Sequence, residues 1–318
     1  MNSPVLACFG KVPTHGDFVR HRASSPAWRL LDEGVQRGLL AARRAQGRAF
    51  KQAFRDMSPL HFVMVTPGSL LCGAIHPSSD KAGRAYPMIV GMELSGPPQE
   101  EAVVMVPLRW APALRRMARL AERAANGEWK PYELIDRLKD QDLVPDPRAT
   151  ATGDAFLRKT NLEEFSSLLW DDFDDARKYL VFKNILESFP GEGQDPSLNG
   201  KGVTFPLGPS ADNHPQLILF WLSLVHRLSS PDTGVDMYFW DASPDAEEDR
   251  SNLMLFEDAR RGQAFELLFG GSAAQGQLMN LQEDGQQKPA DIVLSLPPEI
   301  GSLLEDGSAT LQKVLRGV

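Results

Sequence analysis

Two apolar runs, Phe62 to Val65 and Leu70 to Ile75, are separated only by Thr66-Pro67-Gly68-Ser69. So short a link, made of turn-forming residues, makes its flanking segments neighbours in an antiparallel pair. Tyr86 to Leu94 reads as a third strand of the same group, and Val5 to Phe9 as a buried strand ending at Gly10. Between them a helix starts at Ser25-Pro26, with serine as N-cap and proline in the first turn. Trp28, Leu31, Val35 and Leu39 recur there at helical spacing. Past Gly96-Pro97-Pro98 a long helical region turns Leu108, Leu114, Met117 and Leu120 inward and Arg115, Arg116, Arg119 and Arg123 outward. The expected fold class is therefore α/β (mixed α+β), with an antiparallel-rich sheet and flanking helices over residues 1–130.

The remaining residues, 131–318, read as an acidic α+β region with few strands. Residues 142–160 read as a connector, and Asp171-Asp172 as the acidic start of a helix whose apolar face is Tyr179, Phe182, Leu186 and Phe189. A flexible loop is expected from Gly191 to Gly202, then an apolar helix over Leu217 to Leu228 capped by Asn213. Val235 to Trp240 and Leu253 to Phe256 read as hairpin strands around an acidic loop, Asp241 to Arg250. Alternation of Ile292, Leu294 and Leu296 predicts a late strand, followed by a C-terminal helix.

Charge divides along the same line. Residues 1–130 hold 18 Lys or Arg against 10 Asp or Glu; because the whole chain holds 34 and 42, the rest holds 16 against 32. One half can thus offer a basic face to an acidic partner, while the overall net charge of −8 disfavours nucleic acid. The most apolar stretch, Leu217 to Val225, falls far short of the roughly 20 residues that span a bilayer. Met1 to Leu6 carries no basic run of a secretory leader, so a cytoplasmic protein without membrane insertion is expected. Cys8 and Cys72 stand in apolar runs without metal-like or redox-like spacing and read as small buried hydrophobes.

The motifs of common enzymes fail on specific residues. Gly200-Lys201 has the tail of a phosphate loop, but Asp195 and Gly202 occupy the positions that require Gly and Ser or Thr. Gly191-Glu192-Gly193 meets Pro196 where a dinucleotide fingerprint needs glycine. Gly270-Gly271-Ser272 reads as a loop. The most enzyme-like set is His15, Asp17, His76 and Asp80, joined by His21; it would suit a metal-assisted hydrolase, since imidazole and carboxylate both ligate metals. Its spacing matches no defined site, and the simpler expectation is no metal, no cofactor and no catalytic residue. Gly16-Asp17 then makes a turn in which the aspartate accepts backbone N–H bonds. In the loop Pro77 to Arg84, Asp80 and Arg84 can pair across a turn, Gly83 permits positive φ, and Ser78 can cap the backbone. An Asp17–Arg84 pair would weld the two loops into one surface.

Gly10-Lys11-Val12-Pro13-Thr14-His15-Gly16-Asp17-Phe18-Val19, followed by a Trp-containing helix, resembles the opening of the TagF (also called ImpM) proteins. Pro77-Ser78-Ser79-Asp80-Lys81-Ala82-Gly83-Arg84-Ala85-Tyr86-Pro87-Met88 resembles that family's second signature. The likeness covers about residues 5–125, and His76 stands where an apolar residue is expected. It implies a non-enzymatic accessory protein of bacterial type VI secretion systems, a post-translational repressor of their assembly. The implied partner is the system's forkhead-associated scaffold protein; a structural component of the apparatus is the other non-enzymatic reading. By motif, Gly10, Pro13, Gly16, Gly83 and Pro87 are carried over as structural positions. Lys11, His15, Asp17, Ser78, Asp80 and Arg84 are carried over as the partner-binding or motif surface.

Overall fold

The computed structural model describes residues 4–96, 99–139, 141, 143–189, 202–229, 235–242, 252–257, 261–270, 278–283 and 289–318. Its strands are β1 (Leu6–Gly10), β2 (Val19–His21), β3 (Leu60–Thr66), β4 (Ser69–His76), β5 (Met88–Ser95), β6 (Gly202–Pro206), β7 (Val235–Asp241), β8 (Asn252–Glu257) and β9 (Leu278–Asn280). They form one sheet of order β2-β1-β5-β4-β3-β7-β8-β6-β9, antiparallel except where β9 joins β6. The hairpin pairs Thr66 with Ser69 and Leu60 with Ile75, with Thr66 Oγ1 donating to Ser69 O at 2.8 Å to close the turn. Because β3 also pairs along β7, the sheet runs without interruption from the first half of the chain into the second.

Helices cover both faces, which is why the central strands read as nearly continuous apolar runs rather than alternating ones. On one face lie α1 (Pro26–Gln46), α2 (Phe50–Arg55) and α11 (Arg261–Phe269). Trp28, Leu31, Val35 and Leu39 pack there with Phe9, Phe62, Met64 and Phe239. Ser25 caps α1 by accepting from Trp28 N. On the other face lie α3 (Glu100–Val104), α4 (Val106–Arg109), α5 (Ala111–Ala125), α6 (Pro131–Lys139), α7 (Ala149–Lys159), α8 (Leu162–Trp170), α9 (Arg177–Ser188) and α10 (His214–Leu228). The C-terminal helices α12 (Pro289–Ser295), α13 (Pro298–Glu305) and α14 (Leu311–Gly317) complete the chain. Leu114, Met117 and Ala121 of α5 pack on Cys8, Cys72 and Val90; Trp221 of α10 packs among Phe165, Phe182 and Phe205. Both cysteines are fully buried, and burial pushes each thiol up to about 12. Among the described residues no helix is long and apolar enough to cross a membrane.

Several expectations need correcting. The long helix after residue 98 is three helices, because Pro107 and Pro112 each sit in the first turn of a new one. The connector at 142–160 contains α7, whose Ala149 and Gly153 lie buried. Asp171 closes α8 in the left-handed region (φ 57°) instead of opening a helix. That helix opens with a capping box, Asn161 with Glu164. In α9 the buried set is Leu180, Val181, Phe182, Ile185 and Phe189, with Tyr179 and Leu186 at its margin. The late strand is α12: Ile292 and Leu296 are buried, Leu294 is 82% exposed, and Ile300 continues the four-residue spacing. Asn213 precedes α10 without a side-chain cap. The loops expected at 191–201, 243–250 and 271–272 lie outside the described residues.

Candidate functional site

Sheet order brings the two motifs together. β1 ends at Gly10 and is paired antiparallel with β5, which starts at Met88, so Gly10 faces Met88 across the ladder. The loop leaving β1 (residues 11–18) and the loop entering β5 (residues 77–87) therefore emerge from the same end of the sheet. Gly10 has φ +148°, and a Cβ there would run into the Pro87 carbonyl. This close backbone approach explains why glycine occupies position 10.

Asp80 is the hub. Its side chain is fully buried; Oδ2 accepts from Lys11 Nζ at 2.9 Å and from Arg84 Nε at 2.6 Å. Oδ1 accepts from the amides of Ala82 (3.0 Å) and Arg84 (2.9 Å). A carboxylate has about four lone-pair sites, and here four donors occupy them. Burial by itself would raise the Asp80 pKa, but the bonds from Lys11 and Arg84 outweigh it and hold the carboxyl well below the usual carboxylate range. Gly83 turns the loop at φ +74° and donates to Asp80 O.

Three further bonds tie this loop to the other. Arg84 Nη2 donates to Gly16 O (2.6 Å), Lys81 N to His15 O (2.9 Å), and Ser78 Oγ to Lys11 O (2.8 Å). The two loops are thus one unit, but Asp17 is not its clasp. The Asp17 carboxylate accepts from the amide of the next residue, Phe18, at 2.8 Å and stays exposed. Arg84 reaches past it to the Gly16 carbonyl. Of the sites read from sequence, Lys11 and Asp80 are therefore interior supports, and Ser78 is partly buried. Thr14, His15, Gly16 and Asp17 form an exposed rim beside the exposed Arg84.

Phe18 continues that rim. It is 41% exposed, stacks on Phe9 at 5.2 Å and meets Tyr86 edge-on at 4.8 Å. Tyr86 donates to Asp32 of α1 at 2.6 Å, and Arg20 also pairs with Asp32. Sequence reasoning missed this aromatic support, though Phe18 and Tyr86 both stand inside the motifs.

The metal-ligand set does not assemble around a common point. Asp80 is saturated by cations and amides, His15 is exposed, and His76 Nδ1 hydrogen-bonds Pro77 O at 2.9 Å. Among the described residues no group of three or more His, Cys, Asp or Glu could share an ion.

Two clefts lie on the α5 side. The larger, about 370 Å³, is lined by His61, His76, Arg115, Arg119, His214 and Trp240, among others. His61 is buried against Trp240 at 5.0 Å, and burial lowers its pKa to about 4, so it is neutral near pH 7. The smaller, about 210 Å³, is bordered by Arg116, Arg119, Arg123, Arg137 and Trp129. Thr14 Oγ1 donates to Trp129 O at 2.7 Å, linking the first motif loop directly to this groove. Arg116, Arg119 and Arg123 were legible as part of an outward stripe; Arg137 and Trp129 carried no signal that singled them out.

No curated protein matches the chain. Among solved structures it is similar to the crystal structure of PA0076 from Pseudomonas aeruginosa PAO1, at 13% identity and a TM-score of 0.46, covering 83% of this chain and 93% of that one. Residues 7–140, which contain both motif loops, match the family described as the TagF N-terminal domain, type VI secretion system-associated. Residues 7–140 of the chain thus carry a TagF N-terminal domain, a domain described as type VI secretion system-associated.

Proposed function

We propose that the protein is a non-enzymatic, cytoplasmic regulator that represses type VI secretion assembly by binding a protein of the system, its forkhead-associated scaffold. The observation that carries this reading is the use made of Asp80. A carboxylate kept for acid–base or metal chemistry has a free lone pair; this one spends all its acceptor positions joining two loops. What the network supports is a rigid exposed rim, Thr14 to Phe18 beside Arg84, and a preorganised rim loses little conformational freedom on docking. The TagF N-terminal domain supplies the secretion context.

A pull-down from the native host tests the reading, with wild type compared with His15→Glu/Asp17→Lys. These residues are exposed, so the variant keeps its fold. The expected result is capture of the scaffold by wild type only, and secretion that rises when the protein is deleted. Secretion unchanged by deletion, with a small molecule turned over by the purified chain, would overturn it.

A further inference from the structure

Helix α5 buries Leu114, Met117, Ala121 and Ala124 against the sheet and leaves its arginines outward. Arg116, Arg119 and Arg123 follow one another at spacings of three and four, so they share a face. Arg137 approaches from α6, and these four line one groove with Leu120, Trp129 and Gln141. The guanidinium groups of Arg123 and Arg137 lie 4.5 Å and 4.7 Å from the ring centre of the same indole, Trp129, which is itself only 6% exposed. Two cations held on one ring repel each other, and like charges four apart along a helix do so again.

Compensation within the chain is partial. Arg123 pairs with Glu128 at 2.6 Å, both half-exposed. Arg119 and Arg137 form no ion pair among the described residues. The groove therefore holds positive charge in a planar, forked form that matches carboxylates. It also joins the motif rim, since Thr14 bonds Trp129 O and Pro13 lies beside Gly127.

We propose that this groove docks an acidic segment of a protein partner, with its carboxylates received by Arg119 and Arg137. The choice of a protein occupant rests on the binding-regulator reading; the groove itself stands on charge complementarity. A long polyanion such as nucleic acid meets the repulsion of a chain with net charge −8, whereas a short acidic segment meets only the local groove. A planar membrane does not fit a concave site.

The test uses the full chain and a fluorescein-labelled deca-glutamate peptide, read by fluorescence anisotropy at two salt concentrations. Deca-lysine, inorganic phosphate and phosphatidylglycerol vesicles form separate arms. Wild type is expected to bind the acidic peptide saturably, more weakly at higher salt, and not to bind deca-lysine. Arg119→Glu/Arg137→Glu is expected to weaken binding at least tenfold, while Arg29→Glu, an exposed arginine on α1, leaves it unchanged. Circular dichroism checks the fold of the double variant, and Arg137→Gln alone serves if that variant is unstable. Equal binding by wild type and the charge-reversed variant overturns the proposal; so does a wild type that prefers phosphate or vesicles to the peptide. Scaffold capture keeps the two readings apart. If wild type binds peptide but not scaffold, the proposed function fails; if it binds scaffold but not peptide, the groove fails.

Discussion

Replacing Asp80 by Asn keeps the shape of the hub and removes its charge. The Oδ1 oxygen can still accept from the amides of Ala82 and Arg84, so the loop retains its local turn. What is lost is the counter-ion of Lys11, whose side chain is only 9% exposed. Breaking a buried pair by removing one partner costs about 3–5 kcal/mol, because the other charge stays buried without compensation. Arg84 adds little to this, since its side chain is 62% exposed and surface pairs contribute roughly 0–1 kcal/mol. The expected destabilisation is therefore about 3 kcal/mol for Asp80→Asn, less for Lys11→Met, and about 1 kcal/mol for Arg84→Ala. Lys11→Met/Asp80→Asn should cost less than the sum of its parts, since the double change strands no charge. Denaturant unfolding of the four variants measures this. The pH dependence has a definite sign. With the folded-state pKa held below 3.8, the contribution is present at pH 5–8 and fades as pH falls below that value, where the unfolded chain takes up the proton first. An Asp80→Asn cost under about 1 kcal/mol, or costs that simply add, would show that Lys11 is not left as a buried, uncompensated charge.

Gly10→Ala places a methyl group against the Pro87 carbonyl at φ +148°, so it should cost at least about 2 kcal/mol in thermal or denaturant unfolding. Gly38→Ala drives a Cβ into the Phe265 backbone where α1 crosses α11, and should cost about 1–3 kcal/mol in the same assay. His61 moves from 6.5 to about 4 on burial, so stability should fall by about 3 kcal/mol as pH drops from 6.5 to 4. That slope should flatten in His61→Gln, with denaturant midpoints across pH as the readout.

The first half of the fold was legible because its signals are local. A turn fixed β3 and β4, a serine and a proline started α1, and Trp28 to Leu39 marked its buried face. The second half obeyed signals that mimic one another. Ile292, Leu294 and Leu296 alternate as a strand would, yet residues 289–295 form a helix in which Ile292 is buried and Leu294 is 82% exposed. The joining of β3 to β7 across more than half the chain has no local cause and could not be read in advance. At the site, the Asp80–Arg84 pair was visible from its spacing. The partnership of Lys11 with Asp80, 69 residues apart, depends on β1 and β5 being neighbours, which only the sheet order supplies.

On the proposed function, the buried Asp80 network holds a docking rim in place. A calorimetric titration of the purified full chain with the purified forkhead-associated scaffold tests it most directly. Wild type should bind, and His15→Glu/Asp17→Lys should lose at least tenfold in affinity with an unchanged unfolding midpoint. Undiminished affinity in that variant, at the same stability, would contradict the claim.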